Sequence, residues 1–181
     1  MTDRERKQLQ GLLKEGKDRL RESVASVRPE DGYHRPTPDR WSVVEIVEHV
    51  ILAEDAMFHM AAIAFTEALG PPDYTRDAKL IRWGQNRARR YDAPAGMAPK
   101  GRFPTLAAAM DAFEESRRRT EDYVNTTSDD LRNRTAPHPV GPIDAYQCFI
   151  LLALHSLRHA DQIREVREAF HPPSPSVAGS F

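Results

Sequence analysis

Apolar residues recur at helical spacing in four long segments of the chain, and no segment keeps the alternation that is typical of a β-strand. The predicted helices run over residues 3–27, from residue 42 to near 70, from 106 to about 123, and from 143 to about 170. A shorter helix is predicted around residues 78–89. Four long helices in one chain predict an all-α fold, an antiparallel four-helix bundle.

Two residue pairs mark where the first two helices begin. Thr2 stands three residues before Glu5, and Ser42 stands three residues before Glu45. This is the spacing of a capping box, in which each side chain accepts a hydrogen bond from the backbone N–H of the other residue. Between these helices the chain is rich in proline, which removes backbone donors and interrupts helical structure.

A basic run, Arg117 to Arg119, lies on the third long helix. Mixed charge on a helix is typical of a face exposed to water. We therefore expect these arginines to be solvated and assign them no function. Four acidic residues of the same helix balance their charge: Asp111, Glu114, Glu115 and Glu121.

The length and charge of the chain limit its architecture and partners. Its 181 residues suit a single domain with one core, which we place at residues 1–171, with a flexible Pro/Ser-rich tail at 172–181. The 26 basic and 27 acidic residues give a net charge of −1. That balance provides no excess positive field for a phosphate backbone and argues against a nucleic-acid partner.

The sequence also predicts a cytoplasmic protein that does not enter the membrane. Charged residues make up 29% of the chain, too many for a membrane protein, and the first ten residues lack the apolar region of a secretory signal. Cys148 is the single cysteine, so no intramolecular disulfide can form. We expect Cys148 to pack as a small buried apolar residue.

Three histidines occupy positions on the apolar sides of predicted helices. His155 and His159 are four residues apart, so their rings lie one above the other and can face one ion. An HxxxH motif alone is weak evidence, but His49 lies in the apolar stripe of the second helix. A buried imidazole without a partner costs about 1–3 kcal/mol. Sharing one divalent cation would give all three rings a partner.

Two motifs resemble those of a known family. WSVVEIVEHV contains Trp41 and His49, and HSLRHADQI contains His155 and His159. Together they resemble the DinB-like superfamily, also called DinB/YfiT-like metalloenzymes, over most of the chain. The resemblance implies a four-helix bundle that holds one divalent metal, zinc or nickel in many members, through three histidines that map onto His49, His155 and His159.

The resemblance also bears on cofactors and partners. Characterised relatives include transferases and isomerases that use a low-molecular-weight thiol, while many members have no assigned reaction. The family resemblance and the prevalence of two-fold dimers among soluble oligomers predict a homodimer. The arginine-rich segment between residues 71 and 104 includes Arg82, Arg87, Arg89 and Arg90. These arginines either supply cations for the carboxylates of a thiol cofactor or form a solvated surface. We favour the solvated surface.

Other polar residues are candidates for lining the site. Gln162 could hydrogen-bond a metal ligand or a bound water. Glu45 could orient the ring of His49, although its capping role with Ser42 is the favoured interpretation. His138 either borders the mouth of the site or caps a turn. Trp41 is predicted to pack at the start of the second helix in a structural role.

Three neutral ligands leave coordination positions open, as in catalytic zinc sites. The sequence therefore predicts a metal-dependent enzyme that acts on a small molecule, a thiol-dependent S-transferase or a hydrolase, with catalytic residues unassigned. The alternative is a non-catalytic, metal-stabilised helical module that binds a small molecule. The enzyme and the binding module differ in whether a fourth protein ligand closes the metal site. The sequence offers no obvious fourth ligand, which favours the enzyme.

Overall fold

The computed structural model describes residues 1–63, 66–67, 71–86, 92–136, 138 and 141–170. The α-helices in this part of the chain are α1 (Asp3–Ala25), α2 (Val43–Ala62), α3 (Thr75–Gln85), α4 (Leu106–Thr126) and α5 (Ala145–Phe170). Single turns of 3₁₀ helix lie at Pro29–Asp31, Ala95–Met97 and Leu131–Asn133. The strands are β1 (Thr66–Glu67), β2 (Arg134–Ala136) and β3 (Ile143–Asp144). Helices α1, α2, α4 and α5 pack together, which confirms the predicted four-helix bundle.

Both predicted capping boxes are present. The Thr2 hydroxyl accepts from the Glu5 backbone N–H, and the Glu5 carboxylate accepts from the Thr2 backbone nitrogen at 2.6 Å. At α2, the Glu45 carboxylate accepts from the Ser42 N–H at 2.9 Å, and the Ser42 hydroxyl accepts from the Glu45 N–H at 3.4 Å. These bonds satisfy backbone donors that a helix start would otherwise leave unpaired.

Each long helix has one antiparallel and one parallel neighbour, so the prediction that the bundle is antiparallel throughout is wrong. Helix α2 runs antiparallel to α5, because Cys148 near the start of α5 donates its S–H to the carbonyl of Met57 near the end of α2, at 3.6 Å. Helix α1 runs parallel to α5, since the Tyr146 hydroxyl lies 3.1 Å from Gln8 Oε1 and both residues are near the starts of their helices. This arrangement brings the middle of α2 against the middle of α5.

Helices α2 and α4 are also parallel, because the ring of Phe58 near the end of α2 contacts the ring of Tyr123 near the end of α4. The chain that leaves α2 must therefore return along the whole bundle before α4 begins. Helix α2 has 20 residues, about 30 Å at 1.5 Å per residue. The described elements between α2 and α4, namely β1, α3 and the turn at Ala95–Met97, lie along the outside of the bundle on this return.

The strands form a small antiparallel sheet in the order β1-β2-β3. Thr135 pairs with Thr66 on one side and with Asp144 on the other. Strands of two or three residues are too short to show the alternation by which a strand is recognised in sequence. Pairing of β1 also explains why α2 ends at Ala62 rather than near Gly70, because an extended backbone at Thr66 cannot continue a helix.

Other boundaries differ modestly from those predicted. Helix α3 begins and ends earlier than residues 78–89, and residues 87–91 lie outside the described part of the chain. The predicted tail, residues 172–181, and its boundary at residue 171 also lie outside the described residues. Helix α5 begins at Ala145, where the Asp144 carboxylate accepts from the Gln147 N–H at 2.7 Å.

Two buried apolar clusters fill the bundle. One includes Leu9, Phe149 and other residues at the end where α5 begins. The other includes Val47 and Ile163 at the opposite end. No helix in the described residues has both the length and the apolar content that a membrane span requires.

Arg117 is fully buried, so the expectation that it is solvated is wrong. Its Nη2 lies 2.9 Å from Glu54 Oε2 and donates to Ser156 Oγ at 2.6 Å, and its Nη1 donates to the Leu13 carbonyl at 2.8 Å. The spacing of charges along α4 could not show that α2 supplies a buried carboxylate for this position. Arg118 and Arg119 are 64% and 46% exposed, as expected for the run.

Candidate metal site

The structure brings together the three histidines singled out in the sequence. His49 lies on α2, and His155 and His159 lie one turn apart on α5. One ligand nitrogen from each lies within 4.8 Å of the other two. The antiparallel packing of α2 and α5 produces this convergence, because it sets position 49 opposite the middle of α5.

The His49 ring is held by a backbone carbonyl from the return segment. Its Nδ1 lies 2.8 Å from the carbonyl oxygen of Met97. A carbonyl oxygen only accepts, so Nδ1 carries the proton and the Nε2 lone pair is free. A hydrogen bond at one ring nitrogen that fixes the tautomer is the usual support for a metal-bound histidine.

His159 has equivalent support from a side chain on its own helix. Its Nδ1 lies 2.7 Å from Oε1 of Gln162, three residues further along α5. The amide oxygen accepts from Nδ1–H, so Nε2 is the unprotonated ring nitrogen of His159 and faces His155. Gln162 therefore orients a ring of the cluster, one of the two roles considered for it in the sequence.

The facing nitrogens of His155 and His159 are spaced as two ligands of one ion would be. Their Nε2 atoms lie 3.1 Å apart. Two neutral imidazole lone pairs at this distance repel each other unless a proton or a cation lies between them. Nitrogen–zinc bonds of about 2.0–2.1 Å at tetrahedral to right angles give nitrogen separations of about 2.9–3.4 Å. The donor set therefore fits a divalent ion.

His155 differs from the other two rings in its surroundings. Its Nδ1 is buried and has no hydrogen-bond partner among the described residues. Only Nε2, which faces His159, has a polar neighbour within reach. A cation at that nitrogen would provide a strong interaction for a ring that the protein otherwise supports poorly.

Burial favours the metal-binding form of two rings of the cluster, those of His49 and His155. Burial lowers the pKa of His49, although the hydrogen bond to Met97 acts in the opposite direction. Burial also holds the pKa of His155 well below its usual value, and the charges of His49, Arg158 and Arg117 add to the effect. Neutral imidazole is the form that binds metal, so low pKa values favour binding near neutral pH.

Sequence reasoning missed how two neighbours of His49 contribute to the site. The Trp41 ring packs on the His49 ring with centroids 4.8 Å apart, so this tryptophan covers the cluster as well as the start of α2. Glu48 is fully buried, and its carboxylate accepts from the backbone nitrogens of Lys100, Gly101 and Arg102. The sequence signal that could have identified Glu48 was the presence of a carboxylate inside a predicted helix that is apolar on most sides.

The remaining candidates lie elsewhere. The Glu45 carboxylate accepts from the Ser42 backbone N–H and from Arg35 Nε, each at 2.9 Å, in keeping with the capping interpretation. His138 lies between β2 and β3, where burial, and then the charge of Arg76, lower its pKa; it is not part of the histidine cluster. Cys148 is buried, as expected.

The arginines proposed to meet a thiol cofactor divide into two groups. Arg82 lies on α3 and is exposed, in keeping with the solvated interpretation. Arg87, Arg89 and Arg90 lie outside the described residues.

Comparisons with known proteins identify relatives of the chain. The sequence model of the DinB superfamily matches residues 12–163. No curated protein sequence matches the chain.

Two solved structures share the fold. One is YfiT from Bacillus subtilis, described as a probable metal-dependent hydrolase with an unusual four-helix bundle topology; it has a TM-score of 0.56 and 16% identity, over 94% of this chain and 90% of that one. The other is a conserved protein from Enterococcus faecalis, with a TM-score of 0.62 and 12% identity, over 90% of this chain and 95% of that one. At these identities the likeness establishes a common fold.

Proposed function

The chain belongs to the DinB superfamily, and from this membership and the histidine cluster we propose that it is a divalent-metal-dependent enzyme. His49, His155 and His159 would hold the ion, zinc or nickel. One observation carries the proposal: three imidazole nitrogens converge, and among the residues that the structure describes no fourth side chain joins them. Such a site keeps a coordination position for water or substrate.

When bound, the ion would lower the pKa of a water or thiol in the open position and so supply a nucleophile near neutral pH. The three imidazoles contribute no negative charge, so they leave the full +2 charge of the ion at the site. This charge favours an anionic fourth ligand. A thiolate and a hydroxide both meet that requirement.

Two reaction classes follow from the choice of nucleophile. Activation of water corresponds to a hydrolase, the activity given in the description of YfiT. Activation of a low-molecular-weight thiol corresponds to an S-transferase, which the motif resemblance implies. Both would act on a small-molecule substrate.

Residues around the cluster would restrict and polarise the open position. Trp41 covers one face of His49 and excludes water from that side. Arg158 lies on α5 between the two ligands of that helix, and its Nη1 donates to the carbonyl of Asn86 beyond α3. Its positive charge reaches His155 and adds to the attraction for an anionic substrate.

Metal analysis of protein purified without an affinity tag, followed by a thiol titration, tests this function. We expect about one divalent ion per chain, and a change in the visible spectrum of the cobalt-substituted protein when a low-molecular-weight thiol is added. The His159→Ala variant should lose that change. A thiol response supports the transferase, and hydrolysis of an activated ester without a thiol response supports the hydrolase.

Two outcomes would contradict the proposal. Failure of the tag-free protein to bind zinc, nickel or cobalt would remove the site. Metal binding without an exchangeable water and without turnover would favour the non-catalytic binding module.

A further inference from the structure

Glu48 is a charged side chain in the interior of the bundle. It is 0% exposed and directly precedes His49 on α2. An ionised carboxylate is stable in such a place only where hydrogen-bond donors replace the water that it has lost. The donors at Glu48 are therefore a required part of the local structure.

Those donors are three consecutive backbone N–H groups. Lys100 N lies 2.8 Å from Oε1 of Glu48, and Gly101 N and Arg102 N lie 3.0 and 3.1 Å from Oε2. Gly101 has a φ of +73°, in the left-handed region that glycine adopts without strain. Successive N–H groups in such a turn can converge on one anion.

The same segment supplies the carbonyl that fixes His49. Met97 lies three residues before Lys100, and its carbonyl oxygen is 2.8 Å from His49 Nδ1. Residues 97–102, here called the clamp loop, therefore contact α2 through two adjacent residues. One contact ends on the carboxylate of Glu48 and the other on the ring of His49.

We propose that Glu48 is a positioning residue for His49 and acts through the clamp loop. Its carboxylate anchors residues 100–102, and this anchor holds the Met97 carbonyl where it accepts from His49 Nδ1. The His49 tautomer, with Nε2 free to bind, then depends on Glu48. The effect of Glu48 on metal binding rests on the proposed metal function. Its effect on the His49 tautomer does not.

Glu48→Gln and Gly101→Ala weaken the anchor from its two sides. The NH₂ group of glutamine, unlike the carboxylate oxygen that it replaces, cannot accept a hydrogen bond, so it leaves part of the N–H array unpaired. Alanine at position 101 strains the left-handed turn without touching α2. Both variants should lower zinc affinity about 10–100-fold, the usual effect of losing support behind a metal ligand. Ile46→Val, which trims a buried side chain one turn before His49, is the matched control.

Nitrogen-15 NMR of the histidine rings, recorded on the metal-free protein, reads the tautomer directly. The wild type should show His49 protonated at Nδ1. The Glu48→Gln and Gly101→Ala variants should show a shift towards protonation at Nε2, and Ile46→Val should not. If Glu48→Gln fails to fold, Gly101→Ala carries the test alone.

The outcomes separate the two proposals. An unchanged His49 tautomer together with wild-type zinc affinity in both Glu48→Gln and Gly101→Ala would overturn the role of Glu48. Failure of the wild type itself to bind zinc, nickel or cobalt would overturn the metal function, and the tautomer of the metal-free protein would still decide the role of Glu48.

Discussion

The Nε2 atoms of His155 and His159 lie 3.1 Å apart across one turn of α5. Helical geometry makes this approach possible, because side chains four residues apart lie on one face. Two of the three histidines of the candidate site therefore lie on a single element. The third ring, His49, reaches the cluster through the packing of α2 on α5 and is held there by Met97.

Replacement of His155 by alanine should abolish stoichiometric zinc binding and leave the helical content largely intact. Two remaining imidazoles are a poor site for zinc, while the core that stabilises the bundle is mostly apolar. Calorimetric titration with zinc and circular dichroism measure the two effects. His59→Ala, which removes an exposed histidine of α2, should bind zinc as the wild type does. Global unfolding of His155→Ala would show instead that the metal is needed for folding.

Gln162→Leu should lower zinc affinity about 10–100-fold, because His159 loses the acceptor that fixes its tautomer. Gln162→Glu is the matched control, since a carboxylate oxygen at that position still accepts from Nδ1–H. Competition with a chromophoric chelator measures both affinities. Equal affinities for the leucine and glutamate variants would contradict the orienting role of Gln162.

Arg117→Met should destabilise the protein by about 3–5 kcal/mol, because it leaves the Glu54 carboxylate buried without its counter-charge. The double variant Glu54→Leu/Arg117→Met removes both charges and should recover much of the lost free energy of unfolding. Urea denaturation followed by circular dichroism gives these values. A double variant less stable than Arg117→Met alone would show that the ion pair itself stabilises the bundle.

Cys148 should react slowly with thiol reagents in the native state. Burial, reinforced by the nearby charge of Asp144, raises the pKa of its thiol to about 12. The reactive thiolate is therefore scarce near neutral pH, and the labelling rate should keep rising about tenfold per pH unit beyond about pH 9, where a free cysteine levels off. Labelling with a chromogenic disulfide measures the rate, and concentrated guanidinium chloride should make it fast. A plateau near pH 9 in the native protein would contradict this prediction.

The protein should associate as a homodimer, a proposal that rests on the family resemblance and on the frequency of two-fold dimers. Light scattering should then give a mass of twice 20.5 kDa. A species of 20.5 kDa at tens of micromolar would contradict the proposal.

Several features that the sequence predicted have local causes. The capping box at Ser42 and Glu45 depends on residues three apart, and the pairing of His155 with His159 depends on residues four apart. Helical periodicity identified the elements that carry these residues. Each of these signals lies within a window of a few residues, so no knowledge of the folded chain was required.

The features that sequence did not predict depend on contacts between distant segments. Met97 supports His49 across 48 positions, and it does so with a backbone carbonyl that every residue possesses. Arg117 carries the same charge as its solvated neighbours and differs from them only in facing Glu54. The end of α2 is set by the pairing of β1 with β2. Only the packed structure distinguishes such positions.

The packing of α5, the last described helix of the chain, along α1 and α2 has a consequence for biosynthesis. Helix α5 packs along α1 and α2 and supplies two of the three histidines, and it is the last of the described helices to leave the ribosome. A nascent chain that ends before α5 exposes the apolar faces of α1 and α2 and contains only one histidine of the cluster, His49. The bundle therefore closes only after α5 has emerged, and chaperones that shield exposed apolar helices would act on the chain until then.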